Sequence, residues 1–139
     1  MIKVLEISEI DQVLEILKQD GVRGYNGKHA DSEDKWFRHF FDNERCWTIG
    51  IYDKELIGVL IAEALTDNGC MIWYIAVKPE KHGKGYGTKL LSAFEYLVKE
   101  GYGVEWVYLT SSMNALEFYE KNGYETSDYS NVKEHVKNL

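Results

Sequence analysis

The sequence is poor in the residues that build disulfide and metal frameworks. Its 139 residues include two cysteines, one proline and four histidines. Cys46 and Cys70 are too few and too far apart for a disulfide or metal framework, so we expect two reduced, partly buried thiols. The histidines show no ligand spacing with one another or with cysteine, and the sequence therefore predicts no metal site.

Long apolar runs and clustered positive charge are also missing. No apolar stretch approaches the roughly 18–20 residues that span a bilayer, so no membrane partner is expected. Acidic residues interrupt the apolar positions of residues 1–17, unlike a signal peptide, and we expect a cytoplasmic location. The formal net charge of −7 argues against nucleic acid as a partner, because phosphate neutralisation requires clustered lysine and arginine.

The residues that are present predict one α/β domain over residues 1–139, with the element order β-α-α-β-β-β-α-β-α-β-β. Three apolar runs joined by turn residues, Cys46–Tyr52, Leu56–Leu65 and Cys70–Val77, predict an antiparallel meander. An apolar-faced helix follows, which Gly101 is expected to end. The crossover predicts that Val104–Thr110 runs parallel to Cys70–Val77. The expected fold is a mixed, mostly antiparallel central sheet with helices on both faces.

A glycine-rich segment, KPEKHGKGYGTKLL, precedes that helix. Gly83, Gly85 and Gly87 leave backbone N–H groups exposed where the helix begins, and an anion such as a phosphate is their natural ligand. The spacing differs from both the P-loop and the dinucleotide-binding patterns. Taken alone, the segment is also compatible with a flexible helix start that binds nothing.

Two motifs at the right separation resemble the GNAT superfamily of acyl-CoA-dependent N-acetyltransferases. The first is YIAVKPEKHGKGYGTKLL, in which Lys84, Gly85, Tyr86 and Gly87 match the last four positions of [Q/R]-x-x-G-x-[G/A]. The second is NALEFYEKNGY, in which residues 118–124 match F-Y-E-K-x-G-[FY]. The resemblance also covers the element order, and so extends over nearly the whole chain.

The resemblance implies that acetyl-CoA is the co-substrate, lying in a cleft where the parallel strand pair splays apart. Pantetheine would pair with the edge of the strand near Ile75 and Val77, and a backbone amide near Ile75 or Ala76 would be the oxyanion donor. The pyrophosphate would lie on the amides of residues 82–88. The cofactor-binding residues implied are Ile75, Ala76, Val77, His82, Gly83, Lys84, Gly85, Tyr86, Gly87, Thr88, Ser112 and Asn114.

The sequence departs from the family pattern at three places. His82 stands where the family has Gln or Arg, although its backbone N–H could still serve. Ser112 stands where many members have an asparagine, with Asn114 two residues later. Residues 72–75 carry no carboxylate, although many members place a glutamate there as the general base.

The resemblance implies Tyr119 as the general acid that protonates the departing thiolate. Glu63, on the neighbouring strand, is the best remaining candidate for the general base that takes the proton of the amine. Asp67, Glu80 or a water chain to Tyr74 are the alternatives.

The function implied is acetyl transfer from acetyl-CoA to a primary amine of a small molecule or peptide, with no metal. The acceptor would enter over residues 21–30 and the aromatic helix Trp36–Phe41, and a homodimer is compatible with the sequence. One alternative is a catalytically silent acyl-CoA-binding regulatory domain, for which the missing strand carboxylate argues. Another is an interaction domain that docks a partner on the aromatic helix.

Overall fold

The computed structural model describes residues 1–19, 33–41, 43–111, 115–129 and 132–139. The loop predicted at residues 21–30, and the candidate residues Ser112 and Asn114, lie outside these ranges. No helix in the described ranges combines the length and apolarity needed to cross a membrane.

The described residues form one seven-stranded sheet and four α-helices in the predicted order. The strands are β1 (Ile2–Val4), β2 (Cys46–Asp53), β3 (Glu55–Ala64), β4 (Gly69–Val77), β5 (Trp106–Ser111), β6 (Glu125–Tyr129) and β7 (Val132–Asn138). The helices are α1 (Ile10–Gln19), α2 (Glu33–Phe41), α3 (Tyr86–Tyr102) and α4 (Leu116–Lys121), with short 3-10 turns at Ile7–Glu9 and Pro79–Lys81. The sheet order is β1-β2-β3-β4-β5-β7-β6, with β4 and β5 parallel and the other neighbours antiparallel. The mixed, mostly antiparallel fold class is confirmed.

Tight turns join the strands of the meander, as the turn residues predicted. Lys54 alone separates β2 from β3 and has a φ of 67°. Asp67 and Asn68 have φ values of 60° and 61°, the two positive angles of a type I′ turn, which matches the twist of the strands it joins.

Apolar side chains cover both faces of the sheet. On one face, α1 and α2 bury Val13, Ile16 and Phe40 against β3 and β4. On the other face, the buried side of α3, including Leu91 and Phe94, packs against β2, β3 and β4. Burial of this apolar area is the main term that stabilises the three-layer arrangement.

Helix α3 ends two residues later than the sequence predicted. Gly101 lies inside the helix, and it is Gly103 that takes the left-handed conformation, with a φ of 68°. The N–H of Val104 then donates to the carbonyl of Val98 at 3.0 Å, which satisfies one of the last helical carbonyls. Both glycines fit the residue preference of a C-cap, so residue type alone could not choose between them.

Strands β4 and β5 pair over only part of their length. Their register runs from Gly69 opposite Trp106 to Ile72 opposite Leu109. Beyond this point β4 continues beside β3 to Val77, while the last residues of β5 pair with β7. A bulge at Trp73, which has no partner in the β3–β4 register, lies where the two strands separate. The predicted splayed parallel pair is therefore present.

Candidate functional site

A cleft of about 870 Å³ opens beside the end of β4, where β4 and β5 diverge. It brings together the carboxyl end of β4, the glycine-rich segment, the first turn of α3 and one side of α4. Ten of the residues singled out in the sequence line it: Ile75, Ala76, Val77, His82, Gly83, Gly85, Tyr86, Gly87, Thr88 and Tyr119. Lys84 is exposed and lies outside this lining.

The three glycines serve two different purposes. Gly83 and Gly85 have φ values of 76° and 82°, and a Cβ at either position would meet no atom of the described residues within 4 Å. They are therefore needed for a backbone conformation that other residues rarely adopt. Gly87 is helical, and a Cβ there would lie 3.3 Å from the Phe118 ring, so it allows α4 to approach α3.

The first turn of α3 presents its backbone amides to the cleft. Gly85 is the N-cap, and no side chain in the described part of the chain caps this end of the helix. The first intrahelical bond from this turn runs from the Lys89 N–H to the Gly85 carbonyl at 3.0 Å. The N–H groups of residues 86–88 precede it and have no acceptor within the helix. Since the dipole of a 17-residue helix adds partial positive charge at this end, the arrangement favours an anion.

His82 connects the glycine-rich segment to β4. Its backbone N–H donates to the Pro79 carbonyl at 3.2 Å, closing the 3-10 turn. Its ring Nε2 lies 2.7 Å from the Val77 carbonyl oxygen. Because a carbonyl only accepts, Nε2 carries the hydrogen in this contact. The side chain thus fixes the segment against the end of β4, a role that the motif comparison did not predict.

Asp53, at the end of β2, anchors the opposite side of the segment. One of its oxygens accepts from the Tyr86 hydroxyl at 3.0 Å and from the Lys81 ammonium at 3.2 Å. The Tyr86 bond and then the Lys81 bond lower the pKa of Asp53, and the same Asp53 contact raises the pKa of Tyr86. The first residue of α3 is thereby tied to the meander.

Tyr119 lies on α4 with only 6% of its surface exposed, yet it lines the cleft. Its ring packs on His135 of β7 with centroids 4.8 Å apart, and its other aromatic neighbours are Phe118 and Tyr124. Packing of this kind leaves the ring little freedom, so the position of its hydroxyl is well defined.

His135 is a buried residue that the sequence motifs did not reveal. It is fully buried, with Nε2 2.5 Å from the Ser111 hydroxyl and Nδ1 3.0 Å from the Thr126 hydroxyl. Burial lowers the pKa of this imidazole. The period-two pattern of the tail draws attention to Val132, Glu134 and Val136, and so to the opposite face of β7.

Glu63 lies on the face of the sheet that α2 covers, and the described lining of the cleft does not include it. Its Oε1 accepts from the Trp73 indole at 3.1 Å, and its Oε2 lies 3.8 Å from Nε2 of His39. Burial, followed by the charge of Glu63, raises the pKa of the neighbouring Cys46 thiol to about 11.

The alternative bases are dispersed. Asp67 lies in the β3–β4 turn, at the far end of β4 from the cleft. Glu80 is exposed in the 3-10 turn Pro79–Lys81, which follows β4. The Tyr74 hydroxyl accepts from the Trp36 indole at 3.3 Å, which links β4 to α2.

Comparisons with known proteins agree with this architecture. The model of the acetyltransferase (GNAT) family matches residues 10–124. The PaiA N-acetyltransferase of Thermoplasma acidophilum, solved with coenzyme A, is 21% identical, with a TM-score of 0.78 over 100% of this chain and 98% of that one. An aminoglycoside 6'-N-acetyltransferase, also with coenzyme A, is 18% identical, with a TM-score of 0.82 over 99% and 96%. The ribosomal-protein-S18-alanine N-acetyltransferase of Escherichia coli is 16% identical, with a TM-score of 0.79 over 100% and 92%. At these identities the structural matches show the shared fold.

Proposed function

Because the chain belongs to the acetyltransferase (GNAT) family, we propose that it transfers the acetyl group of acetyl-CoA to a primary amine of a small molecule or a peptide. Acetyl-CoA is the co-substrate of this family. The observation that carries the proposal is the cleft between the diverging strands, which joins free strand edge, helix amides and Tyr119 in one place. An acyl-CoA-dependent acetyltransferase is the activity class that the family indicates, and the amine acceptor is the proposed part.

In this proposal the cofactor lies along the cleft with its pyrophosphate on the amides at the start of α3. The left-handed glycines at 83 and 85 support this assignment, because they orient the segment without placing side chains between backbone and ligand. The Thr88 hydroxyl adds a donor, and exposed Lys84 adds positive charge nearby. The backbone N–H of His82 donates to the Pro79 carbonyl and is therefore not offered to the pyrophosphate. His82 contributes through its ring, which holds the segment against the end of β4.

The pantetheine arm is proposed to pair with β4 in the manner of an added strand. Among the described residues, β5 pairs with β4 only as far as Ile72, so the backbone of β4 from residues 73 to 77 is available on that side for such pairing. An amide of Ile75 or Ala76 is the proposed oxyanion donor, and Val77 continues the edge. Ser112 and Asn114, outside the described residues, keep their proposed contacts with pantetheine.

The chemical step forms one bond and breaks another. The neutral amine nitrogen attacks the thioester carbon and forms the C–N bond, and the carbonyl oxygen gains negative charge. The nitrogen, now cationic, loses one proton to water, the C=O bond re-forms, and the C–S bond breaks to release the thiolate of CoA. Tyr119 is proposed to donate its phenolic proton to that sulfur. Water then returns a proton to the Tyr119 phenolate. Its position on the cleft wall and its tight packing support this role.

The amine must lose a proton before or during the attack, because a lysine-like amine with a pKa near 10.4 is mostly protonated at neutral pH. Glu63 is proposed as the base that takes this proton. Since it lies outside the described lining of the cleft, the transfer has to run through water. Trp73, which donates to Glu63, and Trp36, which packs on Trp73, are partly exposed and offer a surface over which an acceptor can approach.

Thiol release from acetyl-CoA in the presence of a panel of amines tests the proposal. An aminoglycoside, a peptide with N-terminal alanine and a linear diamine cover the acceptor sizes, and mass spectrometry identifies the acetylated product. Release that depends on the amine supports the proposed reaction. Binding of acetyl-CoA by calorimetry without release for any amine would favour the silent regulatory domain, for which the absence of a carboxylate on residues 72–75 argues.

A further inference from the structure

Three potential metal ligands from three separate elements converge on the α2 face of the sheet. His39 lies in the last turn of α2, Cys46 begins β2, and Glu63 lies on β3. One donor atom from each of them lies within 4.8 Å of the donor atoms of the other two. The sequence predicted no metal site because the three residues follow no recognised spacing, and only the pairing of strands and helix brings them together.

The local structure explains this convergence. Cys46 and Glu63 are direct partners in the antiparallel register of β2 and β3, so their side chains leave the sheet on the same face. Helix α2 packs on that face through Phe40, and its neighbour His39 stands above the pair. The His39 ring stacks on Trp36 with centroids 6.4 Å apart and meets the edge of Phe40 at 5.2 Å.

The two carboxylate oxygens of Glu63 have different partners. Oε1 accepts from the Trp73 indole at 3.1 Å, whereas Oε2 faces Nε2 of His39 at 3.8 Å. A hydrogen bond that fixes one oxygen and leaves the other toward the ion is the usual outer-sphere support of a metal-bound carboxylate.

The separation between His39 and Glu63 is close to that of two ligands of a small cation, and the Cys46 sulfur, within 4.8 Å of both, has to approach by up to about 1.2 Å to reach the roughly 3.6 Å expected on tetrahedral zinc. Bonds of about 2.1 Å to nitrogen and oxygen, arranged tetrahedrally, place those two donors about 3.4 Å apart. The 3.8 Å between His39 and Glu63 would have to shorten by about 0.4 Å, which is within the reach of side-chain rotation. Imidazole, thiolate and carboxylate together suit Zn²⁺, whereas Mg²⁺ and Ca²⁺ prefer oxygen donors alone.

We propose that His39, Cys46 and Glu63 bind one Zn²⁺ ion, with the fourth position filled by water or by an exogenous ligand. The ion would tie the end of α2 to β2 and β3. The proposal concerns binding alone and does not depend on the acetyl transfer proposed above, although an ion on Glu63 would occupy the carboxylate assigned there as base.

Titration of the full-length, reduced and untagged protein with Zn²⁺ against a chromophoric chelator tests the proposal. We expect one ion per chain, and an affinity at least about tenfold lower for His39→Ala, Cys46→Ala and Glu63→Gln. Cys70→Ala is the matched control, because Cys70 is the other thiol and lies in the opposite core. It should bind Zn²⁺ like the parent.

Co²⁺ provides a second readout that identifies the ligand. The parent and Cys70→Ala should show a thiolate-to-cobalt charge-transfer band and tetrahedral d–d bands, and Cys46→Ala should lack the charge-transfer band. His39 is the decisive variant, because its side chain is 44% exposed and its removal leaves the core intact. The proposal would be overturned if folded His39→Ala bound Zn²⁺ as tightly as the parent does. It would also be overturned if the parent showed no saturable binding of Zn²⁺.

Discussion

At the scale of single residues, Tyr119 combines two properties that seldom coincide: it is almost fully buried, and it forms part of the cleft wall. Packing of its ring on His135 and Tyr124 restricts where the hydroxyl can point. An acid that must meet a sulfur atom during bond breaking benefits from this restriction, because a positioned donor loses no freedom at the transition state.

Replacing Tyr119 by Phe should reduce kcat by roughly 10²–10⁴-fold if the residue is a full general acid. A thiolate whose conjugate acid has a pKa near 8.5, by analogy with cysteine, can leave unaided but slowly. The ring is retained, so CoA affinity by calorimetry should change little. Tyr96→Phe, on the exposed side of α3, is the control and should keep parent activity. Unchanged turnover in a folded, CoA-binding Tyr119→Phe protein would exclude this residue as the acid.

Replacing Glu63 by Gln should shift the rate profile to higher pH. Without a base, only the neutral fraction of the amine reacts, and that fraction reaches one half at the pKa of the amine near 10.4 and keeps rising above it. Gln keeps an oxygen that can accept from the Trp73 indole, so the local structure should be preserved. The measurement is kcat/KM against pH with one amine. Superimposable profiles would assign proton removal to water or to Tyr74.

At the scale of elements, the start of α3 depends on glycine for conformation more than for space. Gly85 has a φ of 82°, and a Cβ there would have no neighbour within 4 Å in the ranges that the structure describes. A substitution there can therefore change backbone preference or charge without a steric clash in the free protein.

Gly85→Glu should abolish CoA binding, because it adds strain and puts a negative charge where the pyrophosphate is proposed to lie. Gly85→Asn is the matched control, since Asn tolerates left-handed backbone and is neutral. Calorimetry with CoA should show affinity for the Asn variant that is reduced but measurable. Equal affinities for parent and Gly85→Glu would contradict the phosphate assignment.

Local sequence patterns predicted the elements well because most of them depend on local chemistry. The turn at Asp67 and Asn68 and the apolar alternation of the meander are examples, and the crossover rule then made β4 and β5 parallel. What depends on distant packing was not predictable. The interaction of His135 with Tyr119 and the meeting of His39 with Glu63 require the tertiary structure. The choice of Gly103 over Gly101 as the C-cap belongs to the same class.

At the scale of the whole molecule, the buried imidazole of His135 makes stability sensitive to mild acid. Burial lowers its pKa in the folded state below the unfolded value near 6.5. The unfolded chain therefore binds more protons in the window below about pH 6.5, and stability is present above that value and falls as the pH drops through the folded pKa.

Melting temperature should consequently fall as the pH is lowered from 7.5 to about 5.5, and the fall should be smaller in His135→Gln. Gln remains neutral across this range and can hydrogen-bond to Ser111 and Thr126. The carboxylates Glu9 and Asp53 have lowered pKa values and act at still lower pH, so they do not obscure the comparison. Parallel curves for the two proteins, measured by circular dichroism, would mean that His135 is not the group responsible.

Assembly is a separate property of the molecule, and the homodimer and the single domain over residues 1–139 stay predictions. Light scattering of the chain tests for the homodimer. Coincident unfolding transitions from two spectroscopic probes would be expected of a single domain.

A crystal structure of the chain with CoA bound would show whether the diverging β4 and β5 strands hold the cofactor. We predict the pyrophosphate against the backbone amides of residues 83–88, the pantetheine alongside residues 75–77, and the CoA sulfur within hydrogen-bonding reach of the Tyr119 hydroxyl. CoA bound elsewhere on the molecule, or a cleft without cofactor at a saturating CoA concentration, would mean that these strands do not form the cofactor site.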